Sequence, residues 1–467
     1  MMQIVLLSTY ELGHQPFGLA SPAAWLRAAG AGVTCVDLAV QSLPRDAIAA
    51  ADMVAFYVPM HTATRLAAAA IANVRAYNPQ AHLCCFGLYA PMNADFLQSL
   101  GVQTILGGEF EQGLVDLYHT LATERPERPE KRGVAYTSSE ASVSSVAHIS
   151  LERQQFRMPD RRDLPPLTEY AAVQLPNGER RVAGYTEATR GCKHLCRHCP
   201  IVPIYGGQFR VVQRDVVLAD IRQQVAAGAE HITFGDPDFF NGPGHAIPIV
   251  EALHAEFPHL TYDVTIKVEH LRQQARHLPT LQRTGCLFIT SAVEAMDETI
   301  LEKFDKRHTR ADFARAVALL RANDLALNPT FVTFTPWTTR EIYLDFLRTI
   351  HDLDLIENVT PIQYAIRLLI PRGSKLLELP DVQELVGPYD EAALCYRWTH
   401  PDPRMDQLYT EVLAAVQERQ SGDESRRWLW EQVWELAATT SDERLTMPRL
   451  SARYRAPIPH MSEPWYC

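Results

Sequence analysis

The 467-residue sequence has no apolar run approaching the ~20 residues that a membrane-spanning helix needs. Its first residues, MMQIVLLSTYELG, lack a basic leader and a small-residue cleavage site. They read as a buried strand, so the expectation is a cytoplasmic protein with no membrane contact. A basic surplus is missing too. There are 44 Lys and Arg against 55 Asp and Glu, a formal net charge of −11. That disfavours nucleic acid as a partner, because phosphate contact needs clustered Lys and Arg. No internal repeat is visible. The nine cysteines are an odd number in a large chain of this type, which argues against a disulfide framework. What is present, 47% hydrophobic and 21% charged residues, is ordinary for a globular chain that buries a core. The length suggests roughly two to four domains.

Residues 1–124 alternate strand and helix signals. Apolar runs at 3–8, 33–39, 52–58, 82–86 and 102–106 are separated by helical patterns, and Gly30, Gly32 and Gly101 stand where helices stop. This spacing predicts a doubly wound parallel sheet with ligands at the carboxyl ends of its strands. Residues 125–184 read as linker and lead-in: TERPERPEKRG is charged and Pro-rich, and SSEASVSSVAHIS is Ser-rich. A second alternating series occupies 185–398, with strands starting near Tyr185, His231, Thr261, Leu287, Pro329 and Thr360. Thr309 and Asp312 form a capping-box pattern at the head of one helix. Six repeats are too few for a closed eight-fold barrel and suit a partial (α/β)6 barrel. Two helices are expected over 399–440, and an extended tail over 441–467, where Pro448, Pro457, Pro459 and Pro464 forbid a continuous helix.

The chemistry-bearing stretch is TRGCKHLCRHCP, residues 189–200. Cys192, Cys196 and Cys199 form CxxxCxxC. A structural zinc site normally takes four protein ligands, and no second CxxC or HxxxH follows. His194 and His198 are close, but spacing alone makes neither a ligand. A thioredoxin-type pair needs no third cysteine. Three thiolates on a short loop can hold three irons of a 4Fe–4S cluster and leave the fourth open.

CxxxCxxC directly after the first strand of such a series resembles the radical S-adenosylmethionine (SAM) superfamily, over about 185–395. The resemblance implies that Cys192, Cys196 and Cys199 are metal ligands and that the open iron binds the amino and carboxylate groups of SAM. It further implies cleavage of SAM to a carbon radical, with reduced flavodoxin or ferredoxin as electron donor. His198 stands where the family often has Tyr or Phe, and its ring can still stack on adenine. Gly235, Asp236 and Asp238 in HITFGDPDFFN match a Gly–acidic motif that contacts the SAM amino group. Lys267 and Glu269 are expected on one face of a third strand. Ser291 and Glu294 match a segment near the SAM ribose or carboxylate. Arg367, four residues after Gln363, is expected to face SAM or an acidic substrate.

The first domain resembles the cobalamin-binding domains fused to radical SAM cores, at ELGHQPFGLASPAAWLRAAGAGVTCVDLA and at TILGGEFEQGLVDL. A DxHxxG motif, which would give cobalt a lower ligand, is absent. The resemblance therefore supports a cobalamin-type fold better than cobalamin itself. Methylthiotransferases carry three cluster cysteines in this domain. Here it has Cys35, Cys84 and Cys85, and adjacent Cys84 and Cys85 point to opposite faces of a strand. The whole chain, ending MSEPWYC, resembles the CUAEP/CCAEP-tail radical SAM proteins. In those the tail continues with Cys or selenocysteine, then Ala-Glu-Pro. The expectation is a selenocysteine codon after Cys467, and a role for Cys467 in substrate capture or redox turnover. A soft thiol or selenol tail of that kind suits an arsenic- or selenium-containing small molecule.

The resulting expectation is an enzyme that cleaves SAM to modify a small molecule or a peptide. With cobalamin it would transfer methyl; without it, it would abstract hydrogen or transfer another SAM fragment. The competing class is a non-catalytic iron–sulfur or ligand-binding regulatory protein.

Overall fold

The computed structural model describes residues 1–123, 147–420, 425–439, 445–449 and 457–463. They form two units. The first comprises 1–169 and 391–394, and the second comprises 170–390 and the described chain from 395 onward.

In the first unit five apolar runs become parallel strands: β1 Gln3–Ser8, β2 Gly32–Asp37, β3 Met53–Tyr57, β4 His82–Phe86 and β5 Thr104–Gly108. Continuous apolar runs are what strands covered on both faces require. Cys84 packs with the helices Phe17–Ala28 and Glu111–Thr123 on one face, and Cys85 with the helix His61–Tyr77 on the other. Both thiols are buried, as is Cys35. The strand order is β2-β1-β3-β4-β5-β6. The sixth strand, β6 His148–Ser150, comes from the stretch read as linker and pairs parallel with β5. Three mostly polar residues at a sheet edge carry no period that a sequence pattern could register. The first unit then continues to Glu169, where the sequence pattern would have ended the lead-in at 184.

The second unit holds β7 Ala172–Gln174, β8 Arg180–Thr186, β9 Thr189–Gly191, β10 Phe209–Val211, β11 His231–Phe234, β12 Thr261–Thr265, β13 Cys286–Glu294, β14 Ala326–Phe331, β15 Tyr389–Asp390, β16 Cys395–Tyr396 and β17 His460–Met461. Its main sheet runs β14-β13-β12-β11-β8-β7-β17. The five strands β8, β11, β12, β13 and β14 are parallel and make a partial barrel. Helices Arg214–Ala226, Pro243–Glu256, Leu278–Arg283 and Arg310–Ala322 cross between them. The last of these opens on the expected capping box of Thr309 and Asp312.

The sixth strand expected near Thr360 is not there. The chain makes a 3-10 turn at Pro361–Tyr364 and touches the sheet through one bridge, Phe334 to Arg367. Side-chain hydrogen bonding replaces the ladder. The Phe331 N–H donates to Gln363 Oε1 at 2.7 Å, and the Thr333 hydroxyl donates to the Gln363 carbonyl. Two helices follow, Pro403–Gln420 and Arg426–Ala438, the second burying Trp430 and Trp434 completely.

Candidate functional site

The cysteine loop leaves the carboxyl end of β8 and is tied at both ends. β9 enters it and β10 leaves it, paired antiparallel from Phe209–Gly191 to Val211–Thr189. Gly191 has φ +73°, and a Cβ there would lie 2.4 Å from the Tyr205 ring and 2.6 Å from the Gln208 carbonyl. Only glycine fits that backbone. Asn241 holds the entrance: its Oδ1 accepts from Lys193 N at 3.2 Å and faces Cys192 Sγ at 3.7 Å, while Nδ2 donates to the Gly191 carbonyl. At the far side, Arg197 N donates to the Phe304 carbonyl at 2.9 Å, and the Arg197 guanidinium donates to the carbonyls of Glu302 and Lys303.

Asp236 braces the approach to this loop. One oxygen accepts from Ala188 N at 2.9 Å and the other from the Thr189 hydroxyl at 2.5 Å. Burial pushes its carboxyl up to about 7, against those two hydrogen bonds. Both oxygens thus accept hydrogen bonds from the loop. Gly235 is required because the Tyr185 hydroxyl passes 1.9 Å from where a Cβ would stand. Asp238 caps the turn Phe239–Asn241 through Phe240 N and lies 2.6 Å from His270 Nδ1. His270 in turn meets His194, Nε2 to Nε2, at 3.3 Å. Burial, and then Lys267, push His194 down to about 3, so it is neutral.

Around the thiols the charge is arranged in pairs. Burial pushes Cys192 up to about 11 and Cys199 up to about 12, so neither ionises at neutral pH without a bound cation. Lys267 Nζ lies 3.5 Å from Cys196 Sγ and 3.8 Å from Glu269. Glu294 Oε1 accepts from His198 Nε2 and from Lys306 Nζ, each at 3.1 Å. Burial opposes both charges of the Glu294–Lys306 pair. The pairing outweighs it: the Glu294 carboxyl sits well below its usual range and the Lys306 ammonium above its own. Glu294 is also strained. It ends β13 with φ +72°, after a shift in register against β14. Such conformations cost ~1–3 kcal/mol and collect at functional sites. The His198 ring centroid is 4.4 Å from that of Phe304, and its Nδ1 is buried without a hydrogen-bond partner. An orphaned buried nitrogen beside three thiols is what a site shaped for a bound group shows.

One expectation is corrected. Lys267 and Glu269 are not on a strand: β12 ends at Thr265, Lys267 is the N-cap of the helix Val268–Gln273, and Glu269 lies in its first turn. The apolar alternation simply runs past the strand's end. The buried Ser291 hydroxyl donates to the Ile266 carbonyl at 2.7 Å, so it fastens β13 to the end of β12. Arg367, expected to face SAM or an acidic substrate, is engaged by protein groups. Its guanidinium bonds Asp406 at 2.7 Å and the Trp398 carbonyl at 3.0 Å, and stacks 3.8 Å above the Trp398 ring. Cys467 lies outside the described residues. Asn241, His270 and Lys306 escaped the sequence reading, because a lone Asn, His or Lys carries no spacing signal.

Among the described residues, one group could also gather a single ion: Cys192, His194 and Asp238 offer ligand atoms within 4.8 Å of one another. The choice between that set and the three thiols is made by comparison. Residues 186–352 match the model of the Radical SAM superfamily, a span that starts at the end of β8 and contains the whole cysteine loop. This part of the chain is a radical SAM domain. Such a domain implies a 4Fe–4S cluster and SAM, and the three thiols, the paired charges and the orphaned His198 nitrogen fit them. The chain is 24% identical over 188 residues to the ribosomal protein uS12 methylthiotransferase RimO of Geobacter sulfurreducens, covering 38% of this chain and 40% of that one. It is 26% identical over 149 residues to the hopanoid C-3 methylase of Methylococcus capsulatus, covering 31% and 28%. It thus spans well under half the length of either relative.

Solved structures share the fold more widely. The cobalamin-dependent SAM radical enzyme OxsB with aqua-cobalamin bound has a TM-score of 0.66 at 16% identity, over 90% of this chain and 67% of that one. The radical SAM methyltransferase TsrM of Kitasatospora setae has 0.66 at 15%, over 89% of each. The doubly wound sheet and partial barrel are therefore the fold of these enzymes. In the first unit of this chain Tyr57, Phe86 and Phe110 pack ring against ring. Among the described residues, no helix is long and apolar enough to cross a membrane.

Proposed function

We propose that this chain is a radical SAM enzyme that modifies a small molecule, with electrons from a reduced flavodoxin or ferredoxin. The observation that carries the reading is the cysteine loop inside the matched domain, pinned at both ends at the mouth of the partial barrel. When bound through Cys192, Cys196 and Cys199, a 4Fe–4S cluster with one open iron supplies the electron that splits SAM. The chain's residues then divide the work. Asn241 and Asp236 fix the loop. Lys267 sets positive charge beside the Cys196 thiol. Glu294, held ionised by Lys306 and His198, offers a carboxylate to the SAM ammonium. Asp238 orients the His270–His194 pair against the loop, and Gly235 and Ser291 hold the strand ends that frame it.

The tail belongs to the same reading. β17 pairs antiparallel with β7, and β7 antiparallel with β8. β17 therefore runs in the direction of β8, toward the end from which the cysteine loop departs. Met461 Sδ reaches 3.8 Å from the Thr233 hydroxyl of β11, and Ser462 is fastened to Ala172 by two hydrogen bonds. Cys467 lies outside the described residues, so its role in capture of a substrate with a soft centre or in redox turnover rests on the tail resemblance alone.

Anaerobic reconstitution with iron and sulfide, followed by dithionite and SAM, tests the proposal. The expected result is about four irons per chain and release of 5′-deoxyadenosine, methylthioadenosine or another cleavage product. A full cluster with no SAM-derived product would leave the regulatory reading instead.

A further inference from the structure

We infer that the first unit takes no corrinoid: its ligand crevice is closed by its own side chains, and the chemistry of the second unit proceeds without cobalamin. The corrinoid part of this stands apart from the proposed function, and the part about the second unit's chemistry rests on it. In a sheet of order β2-β1-β3-β4-β5, the chain turns in opposite directions from β1 and β3, and a ligand lies outside the carboxyl ends of the strands at that switch. In this chain three aromatic side chains from the ends of β3 and β4 and from the start of the helix Glu111–Thr123 are packed together into the core beside that switch.

Tyr57, the last residue of β3, is buried with its ring against the first turn of the helix Phe17–Ala28. A Cβ on Gly18 would stand 2.2 Å from that ring, and one on Gly87, after β4, 3.1 Å from its other edge. Phe86 and Phe110 complete the filling, with ring centroids 5.4 and 5.9 Å from Tyr57 and 5.0 Å from each other. All three rings are less than 8% exposed.

The flanks are fastened as well. The Ser21 hydroxyl donates to Glu111 Oε1 at 2.7 Å, joining the helices Phe17–Ala28 and Glu111–Thr123 over this face, with both residues buried. The loop after β1 is tied down at three points. The Thr9 hydroxyl donates to the Ala63 carbonyl, the Gln15 amide to the Pro165 carbonyl, and Arg161 to Gln15 Oε1, each at 2.8 Å. A corrin with its nucleotide tail is a large rigid ligand. To seat one here, three core rings would have to leave and a buried interhelical hydrogen bond would have to open. The unit keeps the doubly wound fold as a scaffold. Methyl transfer through cobalt is then closed to this enzyme, leaving hydrogen abstraction or transfer of another SAM fragment.

The test uses the full chain, purified and incubated anaerobically with excess hydroxocobalamin, then desalted. The expected result is less than a tenth of an equivalent of corrinoid by absorbance. The thermal midpoint should not change on adding hydroxocobalamin, since a ligand of the native state raises it. Near-stoichiometric retention, or a midpoint raised by several degrees, would overturn the inference. SAM cleavage by the reconstituted enzyme, with and without added hydroxocobalamin, is read separately. Equal rates agree with the inference, and stimulation of several-fold counts against it. A protein with a full cluster and no cleavage at all would instead remove the enzyme reading, leaving the corrinoid result to stand alone.

Discussion

Lys306 Nζ and Glu294 Oε1 form a 3.1 Å ion pair, 3% and 10% exposed at the side chains, beside the cysteine loop. Glu294 accepts from His198 as well. Removing one member of a buried pair leaves an uncompensated charge, at a cost of ~3–5 kcal/mol. Glu294→Gln should therefore lower unfolding free energy in urea by about that amount. Lys306→Met should be less harmful when combined with Glu294→Gln than the sum of the two single changes. Strict additivity in that double-mutant cycle would show that the two residues do not act as a pair.

His308 gives a pH dependence with a definite sign. It is buried, and burial followed by the neighbouring Lys306 charge pushes it down to about 4. In the unfolded chain a histidine titrates near 6.5. Between pH 6.5 and about 4 the unfolded state thus binds the extra proton, and stability falls as pH falls through that window. The contribution is complete above pH 6.5 and is lost at ~1.4 kcal/mol per pH unit below it. Comparison with His308→Gln isolates the effect. From pH 7 to pH 5.5 the wild type should lose ~1 kcal/mol more than the variant in urea unfolding. Parallel pH profiles would contradict the assignment.

Asn241 is a positioning residue for the loop, and its test is iron content. Asn241→Ala leaves Lys193 N and the Gly191 carbonyl without their partner, a loss of ~1–3 kcal/mol in local order. Reconstituted iron per chain should fall by at least half while the melting midpoint moves by only a few degrees. Cys192→Ala should remove the three-thiol site altogether. Wild-type iron loading in Asn241→Ala would show that the loop holds its shape without that side chain.

Arg367 is a case where the structure suggests a different role from the sequence. Its partner Asp406 is 39 positions away, on a helix beyond the barrel, so nothing local distinguishes a structural arginine from one that binds SAM. Lysine cannot reproduce its paired donors and stacking on Trp398. Arg367→Lys should cost ~1–3 kcal/mol of stability and leave the KM for SAM unchanged. A selective rise in that KM would restore the binding role.

The same contrast describes the whole chain. QIVLLS and HLCCF are legible as strands because both faces of the sheet are covered and nothing polar interrupts the run. The cysteine loop is legible because a fixed spacing carries its chemistry. Thr309 and Asp312 show a helix start three residues apart. What hides are features settled at long range. Gln363 satisfies β14 with a side chain in place of a ladder, Ser291 fastens the end of β12, and Lys306 finds Glu294 from outside the strand. Tyr57 and Phe86 read as ordinary core aromatics, and neither their ring contact nor the approach of Tyr57 to Gly18 is visible in the sequence.

Lys267 offers a last test that separates an electrostatic role from a structural one. Its ammonium lies 3.5 Å from Cys196 Sγ, with Glu269 on its other side at 3.8 Å. A cation beside a cluster thiolate favours the reduced, more negative form, because the two charges attract in a poorly solvated site. Lys267→Met should shift the midpoint potential of the reconstituted cluster downward by tens of millivolts, measured by redox titration followed by electron paramagnetic resonance. Lys267→Arg keeps the charge and should stay near the wild-type potential. Iron content should be similar in all three proteins. If Met and Arg lower the potential equally, the lysine acts through packing. If both retain the wild-type potential, its charge does not reach the cluster.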